Sequence, residues 1–326
     1  MTYSARLISF EELAVLFHHR QSGLDWPIPF ILPSWLSTWW SVYGNGAEPH
    51  IISISDGHDT AGIAPLMLNN SAVQFMGNTD VCDYQDFIIQ PGKDTVFFSH
   101  LIDVLRSGSI NELNLGHVRP DSLTMTRLMP LCREKQLDVT TVQEEVSVEM
   151  TLPDDFEAYI ASLDKKQRHE VRRKMRKCLT AGEVKYVVAD EPASVAEAFP
   201  HFLRMFVESR EDKAKFLDDK NEKFFKGLTR SLTSEKLLKI GSLLLDGKAI
   251  AAVMFFDYRG RRYLYNSGYD PDYVYLSAGL VNKLLTIKDA IDAGIEVFDF
   301  LKGNETYKYH LGGRDIPLYR CRINVL

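Results

Sequence analysis

The densest group of chemistry-bearing side chains lies near the C-terminus, in "FDFLKGNETYKYHLGGRDIPLYR", residues 298–320. Asp299 stands on an alternating strand pattern, "EVFDFL", where a buried carboxylate needs a partner. Lys302, Lys308 and Arg314 are the nearest cations in sequence, and clustered Lys and Arg hold anionic substrates. By position alone, Asp299 is the first choice for a general base, with Glu305 and His310 in reserve. Tyr307 is the candidate acid. Gly303 permits a bend after the strand, so this stretch reads as strand, sharp turn and an aromatic-rich strand pair. The structural alternative is an ion-pair network that fixes the C-terminus.

Two other stretches could bind ligands. A strand, "RYLYNSGYD", leads through "PDYVYLSAG" into a long helix that closes at Gly294. Ser277, Ala278 and Gly279 stand at the helix start, where unpaired N–H groups and the helix dipole suit a phosphate. Capping and packing alone would also account for these small residues. The second stretch is "KKQRHEVRRKMRK", 165–177, with eight Lys or Arg and one Glu, a local charge of +7. Arg168, Arg172 and Arg176 recur every four residues and form a stripe. A solvated face, a phosphate-bearing ligand, RNA and an acidic membrane surface all fit such a helix. There is no Walker loop, Gly-x-Ser-x-Gly, HExxH or GxGxxG, and no histidine spacing for a metal.

The elements that must position these residues alternate between strand and helix throughout 326 residues, a length that favours two domains. In the first half, "PSWLSTWWSVYG" has helical spacing, and "HIISIS", "AGIAPLML", "AVQFMG" and "DYQDFIIQ" read as strands. In the second, helices are expected over 164–181 and in "VAEAFPHFLRMFVESRE" and "NEKFFKGLTRSLTS". Asp246-Gly247 and Arg259-Gly260 are hairpin turns. The expected fold is mixed α/β, divided near residue 150 into 1–150 and 151–326. A net charge of −6 excludes a protein that coats nucleic acid. Four scattered cysteines give no zinc site or disulfide framework and fit a reducing cytoplasm. No apolar run is long enough to span a membrane, and the N-terminus lacks the features of a signal peptide.

The segment "SAGLVNKLLTIKDAIDAGIEVFDFLKGNETYKYHLGG" resembles the CelD-like acetyltransferases of the GNAT superfamily, a group associated with cellulose and exopolysaccharide loci. It is similar in turn to the Fem-type peptidyltransferases, which share a "FDF–Gly–x–x–x–(Tyr/Phe)-Lys" ending. The basic helix and "PSWLSTWW", "GIAPLM" and "DYQDFII" extend the resemblance over most of the chain. The resemblance implies two tandem GNAT-like domains, the second catalytic. It implies acetyl-CoA or another acyl-CoA as donor, no metal, and a pyrophosphate site at Leu276, Ser277, Ala278 and Gly279. Strand N–H groups from Asn266 to Tyr269, Ser267 among them, would polarise the donor carbonyl. Lys302, Lys308, Arg168, Arg172 and Arg314 would then hold the substrate. The acceptor would be a small molecule or saccharide with an amine or hydroxyl. Residues 274–279 depart from the general Gln/Arg-x-x-Gly-x-Gly/Ala signal, so an aminoacyl-tRNA donor and a silent binding module stay open as alternatives.

Overall fold

The computed structural model describes residues 2–19, 22–77 and 80–325. The chain opens with β1 (Ser4–Leu7), α1 (Phe10–His18) and α2 (Pro33–Tyr43). Ser9 and Glu12 form a reciprocal capping box that starts α1. There follow β2 (Glu48–Ser55), β3 (Thr60–Asn69), β4 (Ala72–Phe75), the short β5 (Ile88–Ile89), α3 (Asp94–Ser107) and β6 (Glu112–Val118). A π-helical turn, Thr124–Leu128, leads into α4 (Met129–Glu134) and then β7 (Val139–Thr151).

The second half begins with α5 (Phe156–Ser162) and the basic α6 (Lys165–Leu179). Asp155 and Asp164 cap them by accepting from backbone N–H groups of the first turn. Next come β8 (Val184–Ala189), α7 (Pro192–Ser209), α8 (Glu211–Phe216), α9 (Asp219–Ser234), β9 (Leu238–Leu245), β10 (Lys248–Tyr258) and β11 (Arg261–Tyr269). The two hairpin turns have positive φ at both central residues: 49° and 82° at Asp246-Gly247, 51° and 73° at Arg259-Gly260. That is the two-residue geometry whose twist matches the flanking strands. A 3₁₀ turn (Pro271–Leu276), α10 (Ala278–Asp292), β12 (Val297–Lys302), α11 (Thr306–His310) and β13 (Arg314–Asn324) complete the chain. The expected strand pair after Phe298 is therefore a strand, a short helix and a strand.

The chain divides into two compact units, one running to Val146 and rejoined from Ile316 onward, the other Ser147–Asp315. The dividing point falls four residues before the expected boundary, and the last strand groups with the first unit instead of the second. Each unit is a mixed sheet flanked by helices, and both repeat one topology. In the first, β2, β3 and β4 form an antiparallel meander, α3 crosses over, and β6 pairs β4 in parallel. In the second, β9, β10 and β11 form the meander, α10 crosses over, and β12 pairs β11 in parallel. The first core gathers Phe75, Phe87, Phe97, Phe98 and Leu101 with aliphatics of β3 and β6. The second gathers Tyr159, Phe255, Ile287, Phe298 and Phe300.

Candidate active site

In the second unit, β11 and β12 pair over only three residues: Arg261 with Val297, Arg262 with Phe298 and Tyr263 with Asp299. Beyond these, β11 runs on to Tyr269 and β12 to Lys302 without a shared ladder. Parting strands leave backbone donors and acceptors on their inner edges for a ligand. Local irregularities in both strands produce the parting. Tyr265 is an extra residue in β11, since Leu264 faces Phe255 and Asn266 faces Met254. In β12 the register with β7 shifts between Asp299 and Lys302, and Leu301 has φ 62°. Asp299 is fully buried, and its Oδ1 accepts from the Leu301 N–H at 2.8 Å. Its carboxylate thus fixes the bulge.

Lys308 closes the same turn. It is 2% exposed, and its Nζ donates to the carbonyls of Leu301 (2.9 Å), Lys302 (2.7 Å) and Gly303 (3.0 Å). Glu305 pairs with it at 2.9 Å. Burial raises the Glu305 carboxyl, but the Lys308 charge and hydrogen bond outweigh burial and hold it below the usual carboxylate range. Lys308 therefore holds four oxygens of its own chain, where the sequence pattern put a substrate contact. Tyr307 lies partly buried beside Phe300, and burial, followed by the Glu305 charge, raises its hydroxyl pKa.

The start of α10 stands next to this opening. Asp270 accepts from Asp272 N–H to begin the 3₁₀ turn, and Ser277 then adopts a left-handed conformation, φ 57° and ψ 35°. The first intrahelical bonds run from Leu280 and Val281 to the Ser277 carbonyl, both at 3.0 Å. The Ala278 and Gly279 N–H groups precede them and have no partner within the helix. No acidic residue occupies the first turn. A Cβ on Gly279 would come 3.0 Å from the Tyr269 ring, so the glycine lets α10 approach β11. One turn on, Lys283 is 8% exposed. Its Nζ lies 3.4 Å from the Gly279 carbonyl and 4.8 Å from the Tyr307 ring centre. Lys213 of α8 donates to the Ser267 carbonyl on β11 and lies 5.0 Å over the Phe206 ring.

A groove of about 910 Å³ runs beside Tyr307, His310 and Leu280 and is walled by α6 through Lys165, Lys166, His169, Glu170 and Lys174. Arg168 and Arg172 do not line it, and Arg172 pairs with Glu157 at 3.2 Å. The α6 stripe facing the groove is offset from the arginine stripe that four-residue spacing marked. Arg314 is exposed at the start of β13, and Lys302 ends β12 half-buried. The structure thus brings Ser267, Gly279, Tyr307 and His310 around the opening and groove, gives Asp299, Glu305 and Lys308 to the turn, and sets Arg168, Arg172 and Arg314 apart. Lys213 and Lys283 escaped sequence reasoning. For Lys283 the signal was a lysine on the otherwise apolar "SAGLVNKLLTI" face, and Lys213 gave none. Among the described residues, no group of three or more His, Cys, Asp or Glu could hold a metal ion.

The first unit treats the matching notch differently. Past the β4–β6 pairing its own chain fills the space: Gln85 donates through Nε2 to the Met76 carbonyl at 2.7 Å and through N–H to the His117 carbonyl at 3.4 Å. Val81, Cys82, Tyr84 and Phe87 around it are at most 1% exposed. Of "DYQDFIIQ", only Ile88–Ile89 is a strand, because the preceding residues serve as this plug.

A parallel strand pair that opens beside the tip of the crossover helix defines an acyl-transfer fold of the GNAT type. Residues 165–309 match the family model described as an acetyltransferase (GNAT) domain. Among solved structures, FemX is similar over 97% of this chain and 96% of its own, with a TM-score of 0.65 at 9% identity. The C-terminal domain of a putative lysylphosphatidylglycerol synthetase from Agrobacterium fabrum is similar over 88% of this chain and 86% of its own, TM-score 0.55 at 11% identity. L-PGS from Bacillus licheniformis is similar over 82% of each chain, TM-score 0.53 at 8% identity. No curated protein matches the chain in sequence.

Proposed function

We propose that the second unit transfers an acyl group from a CoA thioester to an amine or hydroxyl acceptor. The observation that carries this reading is the parting of β11 from β12 next to a helix tip free of acidic side chains. The Ala278 and Gly279 N–H groups would hold the donor's pyrophosphate, with Leu276 and Ser277 shaping the approach. An acyl thioester supplies the activated carbonyl. N–H groups on the free edge of β11, between Asn266 and Tyr269, would polarise it where negative charge develops. Tyr307, kept protonated by burial and the Glu305 charge, would give a proton to the departing sulfur. His310, exposed on the groove, takes over the base role first read at Asp299, whose carboxylate is committed to the bulge. Glu305 stays ionised as the partner of Lys308.

An aminoacyl-tRNA donor is the second reading. It is favoured by the cations of α6 along the groove. The likeness to FemX and to a putative lysylphosphatidylglycerol synthetase suits it, as does an envelope or polysaccharide acceptor. Calorimetry separates the two donors. The first reading expects micromolar binding of acetyl-CoA, weakened about tenfold or more by Ser277→Glu, which puts a negative charge at the helix tip. Salt-sensitive tRNA binding without acetyl-CoA binding would replace it with the second.

A further inference from the structure

The opening between β11 and β12 has a cationic wall apart from the helix tip proposed for the donor's pyrophosphate. Arg210, at the N-terminal edge of α8, stands at its rim with a half-exposed side chain. Lys213 is half-buried one turn further in, and Lys283 of α10 is buried at the floor. The facing carboxylates are already engaged. Asp212 pairs with Arg210 at 2.8 Å, and Glu305, in the turn after β12, pairs with Lys308 of α11 at 2.9 Å. Four cations therefore meet two carboxylates. Among the described residues neither Lys213 nor Lys283 is in an ion pair; they rest on the Ser267 and Gly279 carbonyls and on aromatic rings.

A buried ammonium without a counter-ion is unfavourable, and such a group either loses its proton or waits for an anion. Both lysines show this tension. Burial, then the charge of Lys213, brings Lys283 down to about 7, and burial, then the charge of Arg210, brings Lys213 down to about 8. The phosphate site proposed for the donor is the helix tip, where backbone N–H groups would do the binding. Lys283 lies one helical turn deeper, against Tyr307 and next to the strand edge where the acyl group would lie.

We propose that Arg210, Lys213 and Lys283 form an oxyanion-binding wall for the acceptor, which therefore carries a carboxylate or phosphate close to the amine or hydroxyl that receives the acyl group. The assignment to the acceptor rests on the acyl-transfer reading above. The wall selects in two ways. It attracts the anionic group, and it disfavours the protonated form of an acceptor amine, which cannot attack a carbonyl.

The test is pulse labelling of the whole protein with acetic anhydride at pH 7.5, read lysine by lysine by mass spectrometry. Only the neutral amine reacts, and a bound oxyanion raises the lysine pKa. Inorganic phosphate or acetate should slow labelling of Lys213 and Lys283 about fivefold or more. Lys236, whose side chain is 78% exposed, should be unchanged. The stronger of the two probes tells phosphate from carboxylate acceptors. Phosphate calorimetry on Lys283→Met gives a second readout, with about tenfold weaker binding expected. Unchanged labelling and unchanged phosphate affinity would overturn the wall. Protection of the same lysines by acetyl-CoA, with loss of the phosphate effect, would assign them to the donor and overturn the acceptor class. Phosphate protection in a protein that binds neither acetyl-CoA nor tRNA would overturn the acyl-transfer reading and the acceptor assignment while leaving the anion site standing.

Discussion

Lys308 shows how a residue type can be legible in a sequence while its role is not. A lysine among turn residues and aromatics reads as a contact for an anion. In the structure its three N–H donors close on the carbonyls of Leu301, Lys302 and Gly303, and its charge meets Glu305. Replacing it with methionine keeps the stem and removes all four interactions. Buried acceptors left without donors cost about 1–3 kcal/mol each, less where water can enter, and Glu305 is 44% exposed. Lys308→Met is therefore expected to lower unfolding stability by about 3 kcal/mol or more in urea titration. A rise in KM with unchanged stability would restore the substrate role. Asp299 teaches the same lesson. An isolated carboxylate on an apolar strand signals a committed partner, but spacing could not say whether that partner was a ligand or the Leu301 N–H. Gly279 read as part of a phosphate site at a helix start, and in the structure its missing side chain makes room for Tyr269 of β11.

At the scale of elements, one topology yields an open notch in one unit and a filled one in the other, and the difference is a single buried segment. Asp86 anchors that segment. Its Oδ2 accepts from the Leu123 N–H at 2.7 Å, and its Oδ1 accepts from the N–H and hydroxyl of Thr124 at 3.1 and 3.0 Å. Burial dominates and pushes its carboxyl from 3.8 to about 6, against the pull of these bonds. A carboxyl whose pKa is raised by folding favours the native state when protonated. Its contribution is fully present below pH 3.8 and is lost as pH rises through about 6, a span worth about 3 kcal/mol. Asp86→Asn cannot titrate, so the fall in stability between pH 4 and 6 should shrink in the variant. Parallel pH profiles of the melting temperature check this, and identical slopes would remove Asp86 as the source. The apolar content of "DYQDFIIQ" was plain in the sequence, and burial followed from it. The strand expected over the whole segment was overridden by side chains bonded to Met76, Leu123 and Thr124, partners outside it in sequence.

At the scale of the molecule, an acidic chain of net charge −6 carries a helix of local charge +7. The helix and its charge could both be read from residues 164–181, because periodicity and composition are local, and the structure ends the helix at Leu179. The face turned to the groove could not be read, because the packing of α6 through Val171 and Cys178 sets its rotation. That rotation gives a sharp expectation for any polyanionic partner. Lys166 and Lys174 line the groove, whereas Arg168 and Arg172 lie off it. Each phosphate contact contributes about 0.7–0.9 to the slope of log affinity against log salt. If the donor is an aminoacyl-tRNA, the pair Lys166→Glu and Lys174→Glu should weaken tRNA binding more than about tenfold and reduce the salt slope by about 1.5. Arg168→Glu with Arg172→Glu alters the overall charge equally and should have a much smaller effect. If the donor is instead an acyl-CoA held at the α10 tip as proposed, acetyl-CoA affinity should stay within about twofold in both double variants. Filter binding across a salt series, with acetyl-CoA calorimetry alongside, reads these differences. Equal losses in the two pairs would mean that the helix acts through its total field, and the groove would then have no part in holding the partner.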